Sequence, residues 1–388
     1  METKTNLYDL TLDEMEKFVV ALGQPRFRAK QIWHWIYRPF VTSFDEMRNL
    51  PKALRHKLAE QATLGMFYQV AEIHSSDGHT QKWLLELPDH EKIEAVLMEY
   101  DTRNTACISV QVGCAYACAF CATGRMGLIR NLTAGEIVSQ IVHLERILQA
   151  RGLANGTHAL TNIVFMGMGE PLANYGQTLK ALYILNDKNG LNIGTRRMTL
   201  STVGLVPAIR RLAEEPLQVN LAVSFHSPID DIRSELVPIN RQYPIALLME
   251  AVRDYIRQTK RRITFEYSMI NQVNDTPEQA HALGRLIEGM LVHVNMIPLN
   301  PVPGSPWAGS NPKRIERFAQ IIRSYGISAT VRMRRGIDVA AGCGQLYAAI
   351  EGRGRSIVPM VDYPSKEKVD EVVRQRKLIL DVQGFNFL

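Results

Sequence analysis

The sequence predicts an α/β fold built on a parallel sheet, open or closed into a barrel, behind a small helical N-terminal segment. Three observations predict it. Residues 1 to about 60 carry helical periodicity, and from about 66 to 112 the apolar period drops to two. Beyond about residue 133, strand-length apolar runs alternate with amphipathic helices. Strand–helix alternation requires a crossover between neighbours, so the strands run parallel.

Taken in order, Thr11 with Glu14 and Ser43 with Glu46 each form a capping-box pattern ahead of an apolar-periodic stretch. Gly23 and Pro25 separate the first helix from the second. That second helix, Arg26 to Tyr37, interleaves Arg26, Arg28, Lys30 and the following Arg38 with Phe27, Trp33, Trp35 and Tyr37. Its aromatics suit the core of a small helical domain, and its basic residues suit phosphate contacts. Strands are expected over 68–73, 80–87 and 93–98, with turns at Asp77-Gly78 and Pro88-Asp89. A further strand from Cys107 to Val112 leads into a cysteine loop. Thr133 and Glu136 then cap a long helix. Strands are expected near 162–167, 197–202, 219–225, 263–269, 292–297 and 328–333, with helices at 175–186, 244–258, 275–289 and 313–325. The divisions that follow are a helical accessory domain at 1–62, a β-rich extension at 63–106, a core at 107–346 and a charged tail at 347–388.

Composition narrows the function. The chain has 388 residues, a net charge of +6 and a pI near 9.0, consistent with a polyanionic partner. Five cysteines, three of them in one loop, are not a secreted disulfide framework. A reducing, cytosolic compartment is expected. The acidic, polar start METKTNLYDLTLDEME is not a signal peptide, and no apolar run approaches a membrane span.

The cysteine loop, GCAYACAFC, places Cys114, Cys118 and Cys121 in a C-x3-C-x2-C spacing. Three thiolates on so short a loop suit one metal centre with an open coordination position. Zinc is the rival reading and needs a fourth ligand, for which His226 is the nearest candidate. An iron–sulfur cluster with one open iron fits the set as it stands. The strand end FMGMGEPL is the second signal: Gly167 and Gly169 bare the backbone for a ligand, and Glu170 presents a carboxylate. Ser201, the run Ser224-Phe225-His226, and Asn300 also fall at or just beyond strand ends, where a barrel binds ligands. Two cysteines remain. Cys107 precedes the loop, and Cys343 stands between Gly342 and Gly344, which predicts an exposed, mobile thiol.

The cysteine spacing, with Phe120 before the last cysteine, resembles the radical S-adenosylmethionine (SAM) superfamily. The runs FRAKQIWHWIY, QVGCAYACAFCATGRMG, MGMGEPLAN, TLSTVG, SFHSP, VPINR, LNPVPGSP and CGQL together resemble the RlmN family of RNA methyltransferases. The resemblance implies a partial (β/α)6 TIM-like barrel. It implies a [4Fe-4S] cluster on Cys114, Cys118 and Cys121, with SAM on the open iron. Gly169 and Glu170 would meet the amino group of SAM, and Ser201, Ser224, Phe225, His226 and Asn300 would complete its site. One-electron reduction of SAM gives a 5′-deoxyadenosyl radical.

The family methylates C2 of an adenine in 23S rRNA at the peptidyl transferase centre, and of the adenine 3′ to the anticodon in certain tRNAs. C2 is electron-poor and cannot attack the methyl of SAM directly, so two SAM are used per turnover. Cys343 would carry the methyl as S-methylcysteine. The radical would take a hydrogen from that methyl, and the resulting carbon would add to C2. Cys107 would release the adduct through a transient disulfide with Cys343. Glu94 matches the family's proton acceptor, and either it or Cys107 removes the C2 proton; read by itself, Glu94 is a solvent-facing strand residue. An electron donor such as flavodoxin, a cytoplasmic location and a monomer are implied. The Cfr-type methylases, which modify C8 of the same rRNA adenine, share all five cysteines; Pro171 and VPINR look more like the C2 enzymes. Gly342, where alanine is commoner, and a long C-terminal extension depart from the family pattern.

Overall fold

The computed structural model describes residues 4–65, 67–153, 158–300, 302, 305–332, 336 and 338–346. The expected charged tail, 347–388, lies outside them.

The N-terminal region is helical, with α1 (Leu12–Ala21), α2 (Phe27–Tyr37) and α3 (Lys52–Gln61). Its two ends are tied together where β1 (Thr5–Asn6) pairs in parallel with β2 (Ala62–Thr63). The Thr11–Glu14 capping box is formed in both directions and starts α1. The Ser43–Glu46 box is also formed, but it caps only a 3-10 turn, Phe44–Glu46. Pro51 follows too closely for a full helix to develop, and the chain restarts at α3. Trp33 and Tyr37 of α2 are fully buried and meet edge to face, with ring centroids 4.7 Å apart. Those aromatics are core, while Arg26 and Lys30 stay on the exposed face.

The sheet begins as an antiparallel meander of β3 (Tyr68–His74), β4 (Thr80–Glu86), β5 (Lys92–Tyr100) and β6 (Arg103–Cys107). The expected strand from Cys107 to Val112 is divided. β6 ends at Cys107, and β7 (Gln111–Gly113) turns away to form a separate hairpin with β8 (Leu128–Asn131). This hairpin brackets the cysteine loop. After α4 (Ala134–Ala150), β9 (Asn162–Phe165) returns parallel to β6. The chain then runs α5 (Tyr175–Asn186), β10 (Met198–Thr202), α6 (Val206–Glu214), β11 (Asn220–Ser224), α7 (Asp230–Leu236), α8 (Ile245–Thr259) and β12 (Ile263–Met269). It closes with α9 (Pro277–Ile287), β13 (Val292–Pro298), α10 (Pro312–Ser324) and β14 (Ser328–Val331).

β6 and the strands from β9 to β14 are parallel and lie side by side in chain order, and β5, β4 and β3 extend the same ten-stranded sheet at the β6 edge. Six strand–helix units followed by a final strand, with edges β14 and β3 not paired to each other, make the expected partial (β/α)6 barrel. The strands are mostly buried, as parallel strands covered by helices must be. Their C-terminal ends all point to one face, and the cysteine loop lies there.

The two glycines of FMGMGE line the cysteine-loop cavity and also admit a second stretch of backbone. The stretch 108–111 runs alongside them: Gly167 N donates to Ile108 O at 3.0 Å, and Val110 N donates to Met168 O at 2.8 Å. A Cβ on Gly167 would stand 2.6 Å from the Ile108 carbonyl. Gly169 has φ +96°, and a Cβ there would meet Gln111 Cβ at 2.5 Å. What approaches these glycines is the stem of the cysteine loop. Gly167→Ala should therefore destabilise the fold by about 1–3 kcal/mol through forced backbone displacement. Thermal unfolding should show a melting temperature lower by on the order of 5 °C; a variant that melts with the wild type contradicts this packing.

Candidate active site

Cys114, Cys118 and Cys121 share one cavity of about 930 Å3 with Gly169, Glu170, Ser201, Ser224 and His226. The loop is held on three sides. Cys114 N donates to Gly127 O at 2.8 Å, Ala119 N donates to Leu236 O of α7 at 3.0 Å, and Ala122 N donates to Gly344 O at 2.7 Å. Burial pushes the Cys114 thiol up to about 12, lifts Cys118 well above the ordinary thiol value and also raises Cys121. Three buried thiols without a cation are neutral; a bound metal deprotonates them outright. Among the described residues no three His, Cys, Asp or Glu side chains converge on one point as a single ion needs. A four-iron cluster gives each thiolate its own iron and leaves one iron open, which is the donor set these three cysteines offer. His226 is also unsuited to closing a zinc site: its Nδ1 accepts from Ser268 N at 2.9 Å, which leaves the ring proton on Nε2.

Glu170 follows β9 and is buried. Its carboxylate accepts from Leu172 N at 3.0 Å and from Val203 N at 2.9 Å, and its own N donates to Gln111 Oε1 at 2.9 Å. Burial outweighs those hydrogen bonds and raises its pKa to about 7. Ser201 and Ser224 close the ring at the ends of β10 and β11. The Phe225 side chain stands behind the cavity, stacked on Phe265 at 4.9 Å. Asn300 lines a neighbouring cavity instead.

That second cavity, about 600 Å3, is lined by Cys107, Met98, Tyr100, Asn300, Arg332 and Cys343 among others. Cys343 borders both cavities. Its turn is pinned rather than mobile. Gly342 N donates to Gln345 Oε1 at 3.0 Å, Asn300 Nδ2 donates to Cys343 O at 3.2 Å, and Thr123 Oγ1 donates to Leu346 O at 2.6 Å. Gly344 sits at φ +79°, which favours glycine, and the thiol is half-buried. Gly342 has its own reason: a Cβ there would stand 2.4 Å from Asn300 Nδ2. Arg332 Nη1 donates to Cys343 Sγ at 3.4 Å. Burial pushes the Cys107 thiol up to about 12; Cys343 adds to this and Arg332 opposes it.

Glu94 is not the solvent-facing residue its strand pattern suggests. It is 4% exposed, and its carboxylate pairs with Lys82 Nζ at 2.8 Å. Lys82 also donates to Ala340 O at 3.3 Å, three residues before Cys343. Glu94 lines neither cavity; it lies on β5 on the same side as Met98, which lines the second.

Comparison with known proteins agrees with this arrangement. Residues 5–64 match the ribosomal RNA large subunit methyltransferase N-terminal domain, and residues 108–283 match the radical SAM superfamily. A probable dual-specificity RNA methyltransferase RlmN from Chloroflexus aurantiacus is 47% identical, covering 91% of this chain and 94% of that protein. The dual-specificity RNA methyltransferase RlmN 1 of Myxococcus xanthus is 48% identical, covering 92% and 98%. The chain belongs to the RlmN family. The crystal structure of a radical SAM methyltransferase from Sphaerobacter thermophilus superposes with a TM-score of 0.86 at 52% identity, covering 89% of this chain and all of that one. Membership in the radical SAM superfamily implies SAM and a [4Fe-4S] cluster. No helix among the described residues is long and apolar enough to cross a membrane.

Other residues of the RlmN fold do work that was hidden in the sequence. Arg233, fully buried, donates to the carbonyls of Val203, Ser224 and Phe225 and to Asn240 Oδ1. Asn240, from VPINR, returns donors to Asp230 and Ser234. This pair fixes the strand ends behind the cysteine loop. Asn240 was hinted at by its place in VPINR, and Arg233 by nothing in the motif runs. Lys82 carried no motif at all. Lys82→Met leaves the Glu94 carboxylate buried without the Lys82 charge, and should destabilise the protein by about 3 kcal/mol. Adding Glu94→Gln should recover at least half of that loss in denaturant unfolding; two fully additive losses would contradict a coupled pair.

Proposed function

We propose that the chain is a radical SAM methyltransferase that methylates C2 of adenine in 23S rRNA at the peptidyl transferase centre, and of the adenine 3′ to the anticodon in certain tRNAs. The observation that carries this reading is the position of Cys343, in the wall common to the cysteine-loop cavity and the Cys107 cavity. A carrier must meet its donor on one side and its acceptor on the other. The names of the relatives, dual-specificity RNA methyltransferases, support RNA as the substrate, and Pro171 and the VPINR run favour C2 over C8.

In this reading Cys114, Cys118 and Cys121 hold a [4Fe-4S] cluster. When bound, the cluster would supply the electron that cleaves SAM to a 5′-deoxyadenosyl radical and would take back the one that the base adduct gives up as C2 loses its proton. Gly169 and Glu170 take the amino group of SAM; Ser201, Ser224, His226 and the backbone at Phe225 complete its site, and Asn300 bridges to the Cys343 turn. Cys343 Sγ first takes a methyl from one SAM by displacement; the 5′-deoxyadenosyl radical from a second SAM would take a hydrogen from that S-methyl group, leaving as 5′-deoxyadenosine, and the resulting carbon would add to C2, two SAM per turnover. Cys107 Sγ then attacks Cys343 Sγ. The carbon–sulfur bond breaks, a disulfide forms, and the released carbon takes a proton to become the methyl of the product. The C2 proton leaves to Glu94 once its pair with Lys82 opens, or to Cys107. The chain works in the cytoplasm as a monomer, with an electron donor such as flavodoxin, and exposed basic residues of the N-terminal domain meet RNA phosphates.

Methyl mapping on rRNA and tRNA from a deletion strain complemented with this chain should find the mark at adenine C2 in both; a mark confined to C8 contradicts the assignment. Cys107→Ala should accumulate a covalent RNA–protein adduct on denaturing gels. Free methylated RNA at normal yield would refute the resolving role.

A further inference from the structure

We propose that Arg332 orients the target adenine by donating from its guanidinium to a ring nitrogen flanking C2. The inference rests on the C2 reading above.

Arg332 follows β14, and its backbone N is fixed to Met296 O of β13 at 2.8 Å. The side chain enters the cavity that holds Cys107 and Cys343. There, Nη1 lies 3.4 Å from Cys343 Sγ and Nη2 lies 3.8 Å from Met98 Sδ. Among the described residues, these two sulfurs are the acceptors of its side-chain hydrogen bonds. Sulfur is a weak acceptor, whereas a guanidinium carries five donors in a rigid fork. Buried Glu266 and nearby Tyr100 counter the guanidinium charge, so what a ligand acceptor can take is a donor of the fork now set against sulfur.

The distance identifies that acceptor. A base that presents a carbon to Cys343 also brings the two atoms bonded to that carbon close to the sulfur. A donor 3.4 Å from Sγ is therefore within reach of one of them. In adenine both neighbours of C2 are pyridine-type nitrogens with in-plane lone pairs, N1 and N3. Donation to either fixes the base with C2 at Cys343. It also draws electron density from C2 and stabilises the density that moves onto nitrogen as C2 forms its new bond. Of the other donors in the lining, Asn300 Nδ2 is taken by Cys343 O at 3.2 Å and Tyr100 OH donates to Met98 Sδ, while Val164 and Ile297 are apolar.

The test uses the holoenzyme with Cys343 already S-methylated, and follows single-turnover transfer to an rRNA fragment of the peptidyl transferase loop. The fragment carries adenosine, 1-deazaadenosine or 3-deazaadenosine at the target. Arg332→Met should slow transfer to natural RNA on the order of 10²-fold or more, the loss expected for one preorganised donor. One of the two deaza RNAs should slow the wild type by a similar factor, and combining that RNA with Arg332→Met should cost nothing further. Losses that multiply would overturn the assignment, as would wild-type rates on both deaza RNAs. Should Arg332→Met not fold, Arg332→Lys and the deaza RNAs with wild type decide the same question. A wild type that marks no adenine at all overturns the functional reading, and this assignment with it.

Discussion

The docking of one short turn onto another is the constraint on which the site depends. Ala122 N donates to Gly344 O at 2.7 Å, and Thr123 Oγ1 donates to Leu346 O at 2.6 Å. These two hydrogen bonds join segments more than 200 residues apart in the chain. They place the cysteine that borders both cavities directly behind the loop that carries the other three. The glycines on either side of Cys343 follow from that docking. Gly344 supplies the left-handed backbone, and Gly342 leaves room for Asn300.

A second constraint comes from the sheet. Because β3, β4 and β5 continue the core sheet past β6, Glu94 and Lys82 are carried against the Cys343 segment rather than into solvent. The stem of the cysteine loop is fixed from the other side, where Gly167 and Gly169 admit the backbone of 108–111. The cysteine loop is thus clamped between the β9 end, α7 and the Cys343 turn. Rigid elements of this kind suit a site whose parts must meet within a few tenths of an ångström.

Much of this was legible in the sequence because it was written in local signals. The capping pairs Thr11–Glu14 and Thr133–Glu136 mark helix starts at the correct residues. The alternation of strands and helices predicts the order of the parallel sheet, and the cysteine spacing marks the loop. What was not legible depends on pairing across long separations. The run from Cys107 to Val112 reads as one strand because its apolar pattern is continuous, yet the close approach of Gly167 bends the chain out of the sheet there. Glu94 alternates like an exposed residue, and only the β4–β5 register brings Lys82 to it. The glycines around Cys343 read as mobility, but the partners that pin the turn, Asn300 and Ala122, are remote in sequence. Arg332 falls at the end of the strand expected near 328–333, and no local signal there marks it as facing Cys343.

The central claim is that Cys343 carries the methyl group. The most direct test is mass spectrometry of the tryptic peptide that contains Cys343, from protein purified anaerobically and incubated with SAM bearing a trideuterated methyl. The account predicts a trideuteromethyl group on the Cys343 sulfur. An unmodified Cys343 in a preparation that still methylates RNA would contradict it.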